Sequence, residues 1–268
     1  MKKINYFFFI ICFIVYPLIN LSRWNQVDIH LISMTPSFSY WSGTDSLGRD
    51  YFLRCIQGGF ISLILGICSV TLAHVIGFLV GSLSQFRSFY LKFWLPRFSD
   101  ILDIIPNYLL VSLLAIFWNL LFKNIDPVLR TLISTTFSIG LVNWMSISRL
   151  VRAEITNLRQ KEFISVTSSM GASHWHLVKT HYFGYLSQIL TISMVQHLPQ
   201  FILTESFLSY IGIGLTPPYL SLGSLIAEGW RLVTTSPLLF FTPSLLLVYL
   251  SLNLRWILTK SKTVKISI

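Results

Sequence analysis

The sequence predicts an all-α membrane protein: six transmembrane helices, both termini cytoplasmic, and a cytoplasmic loop with its own helical design between helices 4 and 5. Three observations predict it. Of 268 residues, 53% are hydrophobic and only 11% charged, where a soluble domain carries about 25%. Six runs lack Asp, Glu, Lys and Arg: Ile4–Ser22, Cys55–Phe86, Ile104–Phe122, Thr131–Ser148, Thr180–Thr204 and Leu232–Leu254. Each supplies the roughly 18 or more apolar residues that a membrane helix needs. Third, the 20 Lys and Arg residues are unevenly shared between the two sides. With a cytoplasmic N-terminus, the inside segments hold fourteen of them, in Lys2–Lys3, Arg87–Arg97, Arg149–Lys179 and Arg255–Lys265. The outside segments hold Arg23, Arg49, Arg54, Lys123, Arg130 and Arg231. Positive residues accumulate on the cytoplasmic side, so both termini are placed inside.

That rule also accounts for the net charge of +10. No nucleic-acid partner is expected, and the lipid bilayer is. Lys2-Lys3 before an apolar run imitates a signal peptide, but the run is long and no A-x-A site follows, so it reads as an uncleaved first span. Cys12, Cys55 and Cys68 fit no metal or redox spacing, and no disulfide framework is expected.

The first span covers about 4–22, and an external segment, 23–58, follows. That segment ends in Gly43-Thr44-Asp45-Ser46-Leu47-Gly48-Arg49-Asp50. Thr44 and Asp45 read as helix caps and Gly48 as a turn residue, in a surface turn leading to the second span. That span lies within 59–84 and carries Gly77-x-x-x-Gly81, a spacing for close helix packing. The third starts near Pro96 and contains Asp100, Asp103 and Pro106. Helix N-termini favour negative charge, so both carboxylates read as capping or positioning groups. The fourth span runs from about 129 to 149, the fifth from 186 to 206 and the sixth from 238 to 257. Gly212, Gly214, Pro217, Pro218 and Gly223 punctuate the charge-free 206–227, which reads as loop or re-entrant backbone. Glu205, near the external end of the fifth span, suits a pathway position or a cap on that segment. His74 and His197 read as packing or hydrogen-bonding groups. His174, His176 and His181 lack a zinc-spaced partner and read as loop surface.

In the cytoplasmic loop, Phe163, Val166 and Met170 recur at helical spacing, and Trp175, Val178 and Tyr182 repeat the pattern after Gly171. Each set forms one apolar stripe on a short helix. Gly171 suits a left-handed bend, and Ser173 caps the second helix. The pattern alone fits helices lying on lipid and helices inserted in a partner's groove equally.

Three separated segments carry a resemblance: Gly43–Asp50; then Arg149-Leu150-Val151-Arg152, Glu162-Phe163 and Gly171-Ala172-Ser173; then Glu205–Leu215 with Pro217-Pro218, Leu222-Gly223 and Ala227-Glu228-Gly229. Together they resemble the permease subunits of binding-protein-dependent ABC importers, specifically the second permease type of the oligopeptide/dipeptide/nickel family. The first segment is similar to that family's G-T-D-x-L-G-R-D, and the second to its ATPase-coupling loop. The chain departs from the family at Ser165-Val166-Thr167 in place of E-A-A, at Gly184 in place of a proline, at Leu222 in place of a tryptophan, and over 253–268. Contacts assigned to the family's glutamate in E-A-A do not carry over.

The resemblance implies an importer transmembrane domain over 59–258 with a cytoplasmic tail, 259–268, in a bacterial inner membrane. It implies a homologous permease, two ABC ATPases and an external solute-binding protein as partners, and peptides, nickel or another small solute as cargo. It also implies roles for Glu162, Phe163, Met170, Gly171, Ala172, Ser173 and Trp175 in coupling. The chain contains no G-x-x-x-x-G-K-[ST], so no cofactor is expected here and ATP is expected on the partners. An ATP-independent channel or carrier would leave the loop free to vary. An intramembrane enzyme has no G-x-S-x-G or H-E-x-x-H to act with.

Overall fold

The computed structural model describes residues 26–84, 89–171, 174–177, 180, 182–215, 217 and 219–263. The predicted first span lies outside them. Every regular element among the described residues is helical, apart from an isolated bridge between Thr44 and Asp50.

Helix α1 spans Tyr51–Leu83. It starts at Asp50, whose carboxylate accepts the Phe52 and Leu53 backbone N–H groups at 3.0 and 3.2 Å. The cap is therefore Asp50, and not Thr44 or Asp45. With 33 residues, α1 is about 50 Å long, against a hydrocarbon core of about 30 Å. It starts eight residues before the expected 59–84 span because the cap and the buried Tyr51 extend it.

The expected third span is broken in two. Helix α2 spans Phe89–Leu102 and α3 spans Asn107–Leu121. Pro106 explains the break: it lacks an N–H, and within a continuous helix its ring would collide with the Leu102 carbonyl. Ile105, before the proline, is pushed out of the helical region.

Helix α4 spans Pro127–Arg159. Asp126 caps it, accepting from Val128 and Leu129 N–H at 3.0 and 3.2 Å, with Pro127 in the first turn. Ten residues beyond the expected end carry it about 15 Å further. Its hydroxyls lower its hydropathy yet need no water: Thr131, Ser134, Thr135 and Ser138 each donate to the carbonyl four residues back. Such back-bonding satisfies hydroxyls inside a membrane bundle.

Short helices α5 (Glu162–Ser169) and α6 (His174–Leu177) form the loop. Helix α7 runs Phe183–Tyr210 and α9 runs Leu238–Thr263, each with an internal proline, Pro199 and Pro243. Between them lies α8, Leu222–Arg231, opened by a capping box from Ser221 and Ser224. The expected loop 206–227 is thus partly helical at both ends. By length and composition, two described helices suffice to cross a membrane, Tyr51–Leu83 and Leu238–Trp256, with mean hydropathies of 2.4 and 1.5. Of the other expected spans, the first lies outside the described residues, α3 is short at 15 residues, and α4 and α7 are long but carry polar side chains inward.

Close contact between α1 and α4 organises the bundle. A Cβ on Gly77 would stand 2.6 Å from Ile147 Cγ2, and one on Gly81 would stand 2.7 Å from Val151 Cβ and 2.9 Å from the Ser148 carbonyl. The GxxxG is an internal packing surface. Gly140 on α4 returns the arrangement by receiving Leu72, and Gly66 receives Ile202 of α7. One buried cluster follows this seam through Ala73, Ile147, Val151, Ile155 and Leu158 to the loop residues Ile164 and Leu177. A second lies at the other end, around Tyr51, Cys55, Ile202, Leu222, Leu225 and Leu250.

Gly81→Leu is expected to lower thermal stability in detergent by about 1–3 kcal/mol, the usual cost of overpacking. Gly184→Ala, where a Cβ meets nothing within 4 Å, is expected to leave the melting curve unchanged. Equal melting temperatures for both variants would contradict the α1–α4 seam.

Candidate functional site

The Gly43–Asp50 turn is buried, not superficial. Thr44 and Asp45 are 3% and 1% exposed. Gly43 and Gly48 both take φ of +74°, and any Cβ there would strike the Met34 or Asp28 carbonyl. These are the positions where the turn requires glycine. Thr44 Oγ1 accepts the Met34 N–H at 2.8 Å and donates to the Leu31 carbonyl. Asp45 accepts the Leu47 and Arg49 N–H groups at 2.8 and 2.9 Å. Burial raises the Asp50 carboxyl above its ordinary range, opposed by the Leu53 and Phe52 N–H groups that it caps.

Asp45 also carries two cations. Arg49 Nε reaches it at 2.7 Å and Arg54 Nη1 at 2.5 Å. Arg54, 2% exposed, extends its other face to Glu228 of α8, at 3.3 and 3.2 Å. Two carboxylates and two guanidiniums thereby tie the turn, α1 and α8 into one neutral network. Beside it, Tyr51 donates its hydroxyl between the Leu225 and Leu239 carbonyls, at 3.0 and 2.7 Å. Arg54 was not singled out from sequence, although a cation inside the apolar start of a span is a default functional signal.

Glu205 is fully buried. Ser62 and Ser209 donate to its two oxygens at 2.8 and 2.7 Å, and Ser206 adds a longer bond of 3.4 Å. Ser62 Oγ in turn accepts the Leu222 N–H at 3.2 Å. The carboxylate therefore fixes α1, α7 and the start of α8 together, instead of capping the segment that follows it. Gly223 allows the approach, since a Cβ there would lie 2.0 Å from the Ser206 carbonyl. Deeper in the bundle, His74 Nδ1 donates to the Val70 carbonyl at 2.8 Å, and its Nε2 meets Ser193 Oγ at 3.1 Å. His197 Nδ1 donates to the Ser193 carbonyl at 2.9 Å.

At the opposite end, Asp103 lies in the break between α2 and α3. It forms an ion pair with Arg149 of α4, and Asp100 stands 4.0 Å from the same guanidinium. Asn107 donates to Asn143 at 3.0 Å alongside. Burial lowers Arg152 below its ordinary range, against the opposing influence of Asp100. Asp103 thus positions the broken hairpin against the helix leading into the loop.

The loop has two faces. Ile164, Leu177 and Tyr182 are buried in the bundle core. Val166 and Met170 are 57% and 83% exposed. Glu162 opens α5, Ser169 closes it, and Gly171 follows at φ +87° with nothing within 4 Å of a Cβ. Tyr182 therefore faces inward. Ala172, Ser173, Val178 and His181 lie outside the described residues, as do the side chains of Phe163, His174 and Trp175; His176 is exposed.

Residues 73–259 match the family model described as the binding-protein-dependent transport system inner membrane component. The chain is 32% identical over 213 residues to a Brucella suis biovar 1 protein named provisionally as a peptide permease, covering 80% of this chain and 67% of that one. It is 30% identical over 225 residues to the oligopeptide transport system permease protein OppC of Bacillus subtilis, covering 83% and 70%. For OppC of Mycobacterium tuberculosis the identity is 28% over 243 residues, covering 90% and 79%.

Arg54→Ala removes the buried cation that joins Asp45 to Glu228, and removing one partner of a buried ion pair costs roughly 3 kcal/mol or more. The variant is expected to melt well below the parent in detergent, and Arg54→Lys to fall between them because lysine cannot fork between Asp45 and Glu228. A parent-like melt for Arg54→Ala would contradict the network.

Proposed function

This chain belongs to the family of binding-protein-dependent transport system inner membrane components, and on that premise we propose that it is a membrane-spanning permease subunit of an ATP-driven bacterial importer for peptides. The observation that carries the reading is its 30% and 32% identity, over most of its length, to proteins named as peptide permeases. The family is a permease component and not itself a catalyst. Nickel or another small solute is the alternative cargo, since recognition resides chiefly in the separate solute-binding protein.

The proposed complex comprises this subunit, a homologous permease, two ABC ATPases and the external binding protein. This subunit crosses the inner membrane six times with both termini cytoplasmic, as the distribution of Lys and Arg supports. The Gly43–Asp50 turn, α8 and Glu205 then lie at the external end, and Asp103, Arg149 and the loop lie at the cytoplasmic end. Glu205 and Asp103 act as positioning residues that hold helices in register.

In this reading the ATPase docks on the outer face of the loop. Glu162, Phe163, Met170, Gly171, Ala172, Ser173 and Trp175 form that contact. Exposed Val166 and Met170 on one face, with Ile164 and Leu177 anchored on the other, support a lever that is fixed to the bundle and apolar toward a partner. Motion of the ATPase groove then reaches α4 and α7 through packed side chains. Such transmission needs an element with two discrete arrangements, supplied by the inward- and outward-facing permease pair.

Reporter fusions after Lys3, at Asn124 and after Lys265 are expected to read inside, outside and inside; an external C-terminus overturns the topology. In vesicles holding the whole complex, Gly171→Pro is expected to abolish ATP-driven peptide uptake while insertion persists. Proline fixes φ near −65°, which the bend at φ +87° does not accommodate. Trp175→Ala is expected to weaken ATPase association, as truncating an interface anchor commonly costs roughly 2 kcal/mol. A cysteine at Ser169 is expected to cross-link to the ATPase with a yield that changes on adding ATP. Unaltered uptake in the first variant and no cross-link in an assembled complex would together remove the coupling role.

A further inference from the structure

The loop before α1 presents an apolar surface that the bundle does not use. It is closed by its own backbone: Thr44 N–H donates to the Met34 carbonyl at 3.2 Å, and Ser33 N–H donates to the Asp45 carbonyl at 3.0 Å. Ser37 and Tyr40 exchange backbone hydrogen bonds of 2.9 and 3.2 Å, leaving Phe38 and Ser39 as a two-residue tip. Neither tip residue takes a positive φ, and such a turn accepts most residues, so turn geometry does not select the phenylalanine. Phe38 is 103% exposed. Trp41 is exposed beside it and packs one side on Phe52, ring centroids 5.3 Å apart. Ile29, Ile32, Met34 and Leu47 are exposed on the same loop.

Three further observations identify what meets this surface. Residues 26–48 contain no Lys, Arg or Glu; Asp28 is the sole exposed carboxylate, because Asp45 is buried. The loop is tethered closely at both ends: 28 residues, 23–50, join the end of the first apolar run at Ser22 to the start of α1 at Tyr51. The loop is also held down, since Thr242 of α9 donates to Ser42 at 3.1 Å and Arg54 grips Asp45. A rigid, nearly uncharged finger with an aromatic tip, unable to travel far from the bilayer surface, suits the headgroup region, where Trp and other amphipathic aromatics collect.

We propose that residues 27–41 form a membrane-interface anchor, with Phe38 and Trp41 seated in the lipid headgroup and upper acyl region. The anchor fixes the depth of the Gly43–Asp50 turn, and through Arg54 that of α8. It rests on the chain being an embedded permease and is independent of the cargo.

The test places a nitroxide at Phe38→Cys or Trp41→Cys in the assembled importer in vesicles. Cys12 and Cys68 are replaced by serine, and Cys55, fully buried, is retained. Exposed Leu113 of α3 and exposed Asn124, each converted to cysteine, supply the lipid and water references. Oxygen is expected to relax the label at 38 and 41 more strongly than a water-soluble nickel chelate does, as at 113. The reverse order, as at 124, overturns the anchor. Protection from both reagents, in the importer alone or on adding the solute-binding protein, also overturns it and assigns the surface to a protein contact. ATP-driven uptake measured on the same vesicles separates this result from failure of the permease reading: a lipid-facing label in an inactive complex counts for the anchor and against the transport assignment.

Discussion

Helices in lipid gain little from hiding apolar side chains, because the solvent is equally apolar; they associate through close packing and satisfied polar groups. In this protein the close packing is the seam between α1 and α4, where Gly77 and Gly81 admit Ile147 and Val151. Both helices have 33 residues, so one contact fixes two long rods. Everything at the two ends hangs from those rods. Arg54 sits near one end of α1, and Arg149 sits on α4 at the level of the glycine seam, between Ile147 and Val151.

Each end then solves the same problem with different chemistry. A buried charge is costly unless paired and hydrogen-bonded. At the α8 end, Arg54 is forked between Asp45 and Glu228, and Glu205 is enclosed by serine hydroxyls. These groups tie α8 to α1 at its start and in its middle. At the other end, Asp103 and Arg149 close over the break made by Pro106. That pair is partly exposed and contributes little to stability of itself; its consequence is positional, joining the α2–α3 hairpin to the helix that feeds the loop.

The loop carries apolar side chains on two faces, and those that join the core are not the ones on the expected first stripe. Ile164 and Leu177 join the core, whereas Val166 and Met170 remain outside. Helical spacing finds such residues but not the direction in which they point. Tyr182 shares the spacing of the second stripe and is buried all the same, because it packs in the core cluster next to the start of α7.

Long charge-free runs already specify the helical membrane class, and Gly77 and Gly81 already specify close packing. The sequence also marks the bend at Gly171 and the turn at Gly48, because only a residue without Cβ tolerates those backbone angles. Its motifs identified the family. Local pattern misplaced the cap, which is Asp50, joined two helices across Pro106, and left part of 206–227 as loop. Which distant polar residues meet is legible only in the folded chain. Asp45, Arg54 and Glu228, or Ser62 and Glu205, are separated by up to 183 positions and have no periodicity to connect them. Their pairing follows from how the rods pack, and burial then makes it obligatory.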